Sequence, residues 1–139
     1  MRARDRLGRP VPLDSPDAVP DPPEQALPPH DALDLAQSLL DEGRAFAAHE
    51  VLEASWKAAP AGERALWQGL AQLCVGVTHL QRGNAVGGAR LLRRGAASLP
   101  AALPYGLDAG LAAWAVGVAD RVDAGDASAP VLRLRPPLS

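Results

Sequence analysis

A chain of 139 residues has room for a single domain of ordinary size and no more. A formal charge of −2 argues against a protein that coats nucleic acid or an anionic membrane. One cysteine, Cys74, excludes an internal disulfide and any cluster of thiolates around zinc or iron–sulfur.

Residues Met1 to Arg9 are charged, and prolines stand where the apolar core of a signal peptide belongs. The longest apolar stretch, Gly69 to Val77, is broken by Gln72 and falls well short of a membrane span. The expectation is a cytoplasmic, single-domain protein. Of the 14 basic residues only Lys57 is a lysine, a bias that a GC-rich bacterial genome produces without selection for function.

Residues 1–29 hold eight of the 14 prolines and little aliphatic periodicity, so this arm is expected to be extended or disordered. Its Arg2, Arg4, Arg6 and Arg9 could meet an acidic partner, although a solvated tail accounts for them as well. Asp31 then caps a first helix running to Glu42, with Leu33, Ala36, Leu39 and Leu40 on one face and Gly43 at its end. A second helix spans residues 44–59 and stops at Pro60. The Pro60-Ala61-Gly62 link is tight enough only to reverse the chain. A third helix, residues 63–81, presents Leu66, Leu70, Leu73 and Val77 at helical spacing. Gly83 suits a left-handed C-cap and Asn84 the next N-cap. A fourth helix follows over residues 85–99, with Gly88 permitting close contact. A fifth, over residues 107–122, repeats Leu107, Leu111, Trp114, Val118 and Val122.

Short links between helices imply an all-α fold, an antiparallel bundle of about five helices or a stack of helical hairpins. The bundle occupies residues 30–125, between a disordered proline-rich arm (1–29) and a C-terminal tail (126–139). Within the tail, Val131-Leu132-Arg133-Leu134-Arg135 alternates and suits either an edge strand or packing along a groove.

The second helix departs from a plain core pattern. Phe46, His49, Leu52, Glu53 and Trp56 share one stripe, with Glu50 and Lys57 on its edge. The opposite side, from Ala47 and Ala48 to Val51 and Ser55, is small and suited to a neighbouring helix. Phe46 and Trp56, together with Trp67, would border an apolar groove; core packing accounts for Trp67 equally well. His49 and Glu53 lie one turn apart among these aromatics and need a partner, a ligand or a pocket mouth. On the third helix Arg64, Gln68, Gln72, Val75, His79 and Arg82 form a band. That band either faces the His49/Glu53 stripe, with Gln68 and Gln72 bonding its carboxylates and Arg82 neutralising one, or is the wet side of an amphipathic helix.

Phe46-x-x-His49-Glu50-x-Leu52-Glu53-x-x-Trp56-Lys57, then Glu63-Arg64, Gln68-Gly69-Leu70-x-Gln72, His79, Arg82-Gly83-Asn84, Gly87 and Leu91-Leu92 form one ordered pattern over residues 33–100. It resembles the bacterial and archaeal family known as domain of unknown function 309. The resemblance implies a small all-α bundle and, since the family is named for lacking one, no particular activity. Ala71 stands where that family has an aliphatic, and Gly88 where it tends to have alanine.

Two classes of function follow from the polar set His49, Glu50, Glu53, Gln68, Gln72, His79, Arg82 and Asn84. One is a non-enzymatic binding or scaffolding module that needs no cofactor, its partner a protein or a small molecule. Homo-oligomerisation is open in this reading, and Arg90, Arg93 and Arg94 form either a basic docking patch or a solvated face. The alternative is a hydrolase-like enzyme acting by acid/base chemistry or through a divalent metal. His49 and Glu53 at i, i+4 offer two ligands from one helix face, and His79 or Glu50 a third. The segment reads His-Glu-x-x-Glu, however, and lacks the second imidazole of the zinc-protease motif. No nucleophile motif, P-loop or Rossmann fingerprint is present, and Cys74 falls on an apolar helix face where a thiol is inert.

Overall fold

The computed structural model describes residues 3–136. Five helices follow in order: α1 (Pro29–Asp41), α2 (Ala45–Ala58), α3 (Arg64–Gln81), α4 (Ala85–Ser98) and α5 (Leu111–Asp123). The main packing joins chain neighbours, α1 on α2, α2 on α3, α3 on α4 and α4 on α5. This is the all-α architecture that the periodicity predicts, built as successive helical hairpins. A two-residue antiparallel ladder, β1 (Ala3–Arg4) with β2 (Pro10–Val11), is the only sheet among the described residues. No helix of the described chain is long and apolar enough to cross a membrane.

Local chemistry moves two helix starts from their expected places. Asp31 does not cap α1, which begins two residues earlier at Pro29 with no side-chain cap. Proline lacks the N–H that a first-turn residue would leave unbonded, so Pro29 starts the helix and Asp31 becomes a first-turn acid facing the positive end of the dipole. The fifth helix starts at Leu111, not Leu107. Asp108 accepts a bond from the Gly110 N–H at 2.8 Å, while its own N–H donates to Leu134 O at 2.9 Å, so residues 107–110 form a turn instead. Leu107 is still buried in the core. Gly83, with φ of 80°, and Asn84, which accepts from the Gly87 N–H, end α3 and cap α4 as the sequence predicts.

Two glycine pairs set the distance between α3 and α4. A Cβ on Gly95 would lie 2.9 Å from Gly69 O, and one on Gly88 would lie 3.1 Å from Gly76 O. The pairing of 69 with 95 and of 76 with 88 also fixes the two helices as antiparallel, with backbone against backbone at each crossing. Leu73 and Leu92, fully buried, fill the space between.

Both flanking segments lie against the helices. In the tail, Leu132 and Leu134 are completely buried, and Gln37 of α1 clamps them by donating to Leu132 O and accepting from the Leu134 N–H. Of the two readings of the alternating stretch, packing along a groove is the one seen. The arm, expected as extended or disordered, follows a definite path. Residues Asp5 to Arg9 make a turn around the Asp5 carboxylate, which accepts from the backbone N–H of Leu7 and Arg9 and from Arg9 Nε. Arginines hold the arm down: Arg82 donates twice to Leu7 O, Arg44 to Pro20 O, and Arg6 to Glu42 O. Arg2 lies outside the described residues.

Candidate functional site

Why α2 carries a polar strip follows from its small side. Ala45, Ala47, Ala48, Val51, Leu52 and Ser55 are buried, so Phe46, His49, Glu50 and Glu53 are left half-buried along the margin. The i, i+4 spacing does what the sequence predicts: His49 Nε2 lies 2.8 Å from Glu53 Oε2, and Lys57 Nζ reaches Glu53 Oε1 at 3.1 Å. His49 Nδ1 sits 3.2 Å from Phe46 O, and the two rings are 5.2 Å apart. The Phe46 ring has the Arg4 guanidinium 4.7 Å from its centroid and that of Arg82 at 5.3 Å.

The two carboxylates are tuned in opposite directions. Burial pushes the Glu50 carboxyl above its ordinary range, helped by the charges of Asp21 and Glu53 and opposed by Arg4 and His49. Burial also raises Glu53, but hydrogen bonds and charge from Lys57 and His49 outweigh it and hold this carboxyl below its ordinary range. An open depression of about 260 Å³ lies beside them, lined by Asp21, Glu24, Glu50, Glu53 and Lys57.

A stability test separates the two groups. Glu50, with its folded value raised above 4.5, is most favourable to folding below that pH and less so as pH rises through the raised value. Glu53, with its folded value lowered, stabilises above 4.5 and loses this as pH falls through the lowered value. At pH 7, Glu50→Gln is therefore expected to raise the melting temperature and Glu53→Gln to lower it. Both changes should stay below about 1 kcal/mol because the groups are half-exposed. Both differences should shrink in acid, which melting curves taken across the pH range would check.

The third-helix band does not meet this strip. Gln68 is exposed, and Gln72 accepts the Ser98 hydroxyl of α4 at 3.1 Å. His79 Nδ1 lies 3.1 Å from Asn84 Nδ2, and burial with the nearby Arg82 and Arg90 charges lowers its pKa. The cause is the glycine seam, which draws α4 against the face of α3 that holds Gln72 and His79. Of the band, Arg82 and Arg64 reach the second helix, and they do so through the Phe46 and Trp56 rings, not through a carboxylate. Among the described residues no three His, Cys, Asp or Glu side chains converge as a metal ligand set, so His49, Glu53 and His79 do not form one.

The expected groove of Phe46, Trp56 and Trp67 is also rearranged. Trp67 is 2% exposed and belongs to the core, with its Nε1–H donating to Glu63 at 3.3 Å. Trp56 lies half-buried under the Arg64 guanidinium, 5.2 Å from its ring centroid. Cys74 is fully buried, and burial pushes its thiol up to about 12, consistent with an inert sulfur. On α4, Arg93 bridges Asp120 and Asp123 of α5 and so works as a helix tie.

Sequence reasoning missed a second group. The Tyr105 hydroxyl donates to Glu63 at 2.7 Å, and the Tyr105 and Trp67 rings lie 5.8 Å apart beside a depression of about 190 Å³. Tyr105 has φ of 61°, a conformation that costs a residue with a side chain about 1 kcal/mol or more. The i, i+4 spacing of Glu63 and Trp67 was a visible signal; nothing in the sequence marks Tyr105.

These features define a small all-α domain of helical hairpins with a polar and aromatic strip on its second helix. Residues 33–91 match the family model described as Domain of unknown function (DUF309), and this segment of the chain is a domain of that family. The match takes in most of α1, all of α2 and α3 and the first half of α4, and so the whole His49–Glu53 strip. No curated protein and no solved structure matches the chain.

Proposed function

We propose that the chain is a non-enzymatic binding or scaffolding module of the cytoplasm. Its working surface is the half-buried strip of α2 together with the C-terminal end of α3. The observation that carries this reading is the mutual pairing of His49, Glu53 and Lys57. His49 and Glu53 pair with each other, Lys57 takes the second Glu53 oxygen and His49 Nδ1 lies against Phe46 O. Neither His49 nor Glu53 therefore stands free as a general base, and Glu50 is left as the one free carboxyl of the strip at the depression. Beside them, the Phe46 ring with the Arg82 guanidinium 5.3 Å from its centroid has the composition on which binding hot spots are built. The competing reading is a hydrolase-like enzyme at His49, Glu50, Glu53 and His79. The depression at Glu50 and Glu53 supports it, while the engagement of His79 with Asn84 counts against it.

A random-peptide display selection on the immobilised chain tests the proposal. It is expected to enrich ligands whose affinity falls at least about tenfold on Phe46→Ala. Ligands indifferent to Phe46 would overturn it. Turnover of an ester or phosphoester panel that disappears in both His49→Gln and Glu53→Gln would replace it with the enzyme reading.

A further inference from the structure

We propose that the N-terminal arm is a displaceable strap occupying, within the same chain, the surface on which a polypeptide partner docks. The partner is a glycine-containing turn of the kind that residues 4–9 form. This inference rests on the binding-module reading above and names its partner class and regulation.

The fit at the centre of the strap is close. Gly8, buried and at φ of 80°, places its backbone so near Phe46 that an added Cβ would lie 2.2 Å from the ring. Only glycine satisfies both the left-handed backbone and this approach. Around it, the helical domain recognises main chain. Arg82 Nε and Nη2 donate to Leu7 O at 2.8 and 2.6 Å, and Arg44 Nη2 donates to Pro20 O at 2.6 Å. Carbonyl recognition of this sort accepts any segment that offers the same turn, in the manner of other main-chain-reading peptide sites.

The strap is also built to leave. Residues 3–20 of it contribute no side chain to the apolar core, against which Leu27 is the arm's one packed hydrophobic, and its Leu13 is 61% exposed. Its anchoring bonds to Leu7 O, Pro20 O and Glu42 O are solvent-exposed. Segments held by exposed polar bonds with little apolar burial open at a fraction of the global unfolding free energy. The turn itself is organised from within, by the Asp5 carboxylate, and so can come away as a unit. Its release uncovers Phe46 and frees Arg82 and Arg44 as donors. Phe46, Arg44 and Arg82 all lie inside the family segment 33–91, and the strap lies outside it.

The experiment compares the full-length chain with Gly8→Ala, and with Asp5→Ala as a second variant that removes the acceptor of the turn without touching α2. Amide exchange in the arm, read at Leu7, Arg9 and Val19, is expected to accelerate roughly tenfold or more in both variants while helix amides are unchanged. A peptide spanning residues 1–20 is then expected to bind both variants and shift the Phe46 and Arg82 resonances. The same peptide carrying Gly8→Ala should not. Arm amides that exchange as slowly as core amides, with either variant lowering the melting temperature of the whole chain, would overturn the strap. A released arm with no peptide binding would also overturn it. If Phe46-dependent ligands still emerge from display selection in that case, the strap alone fails; if they do not, the binding-module reading fails with it.

Discussion

Replacing Leu134 with alanine is expected to destabilise the fold by about 2–5 kcal/mol. The leucine is completely buried although it lies beyond the last helix, so its removal opens a cavity between the tail and α1. Val131, on the same tail but 57% exposed, provides the control, and Val131→Ala should stay within about 0.5 kcal/mol of the parent. Gln37→Ala should cost about 1–3 kcal/mol, because it leaves the Leu134 N–H without its acceptor. Leu134→Ala and Gln37→Ala act on one contact and should combine less than additively in a double-mutant cycle. Urea unfolding of the parent, the three single variants and the double variant measures all of this. A Leu134→Ala chain as stable as the parent would mean that the tail is not part of the core.

Gly95→Val is expected to cost more than about 3 kcal/mol, since overpacking and β-branching both act against it. Its Cβ would meet Gly69 O at 2.9 Å and Leu73 Cδ2 at 2.8 Å, and backbone cannot swing aside as a side chain can. Gly95→Ala is the more informative variant. Alanine gains up to about 1 kcal/mol of helix propensity over glycine, whereas overlap at a packed crossing costs about 1–3 kcal/mol, so the net change should be a loss. Gly117 of α5 has nothing within 4 Å of its added Cβ, and Gly117→Ala should therefore gain that propensity and raise stability. Opposite signs for the same substitution in two helices identify close approach as the reason that α3 and α4 carry glycine.

The helices were legible because apolar spacing at Leu33, Leu70, Leu73 and Val118 leaves a periodic trace. Their starts were less so, since a proline pair can begin a helix without a capping side chain, as at α1. The approach of His49 to Glu53 was legible from helical geometry alone. The facing of the third-helix band was not. Its orientation is set by Gly69, Gly76, Gly88 and Gly95, which recur seven apart on each helix and record which face meets α4. The docking of the arm leaves no such trace, because Arg82 and Arg44 bind carbonyl groups and every residue has one.

The clamp at Gln37 also orders events in time. Each helical hairpin closes over a short link and folds on local contacts, whereas Gln37 must find a residue 97 positions away. On a ribosome, α1 therefore emerges early and waits with one flank bare until residues 132–134 clear the exit tunnel. A chaperone or protease would meet the nascent chain during that wait, and its first target would be the flank of α1 that the tail later seals.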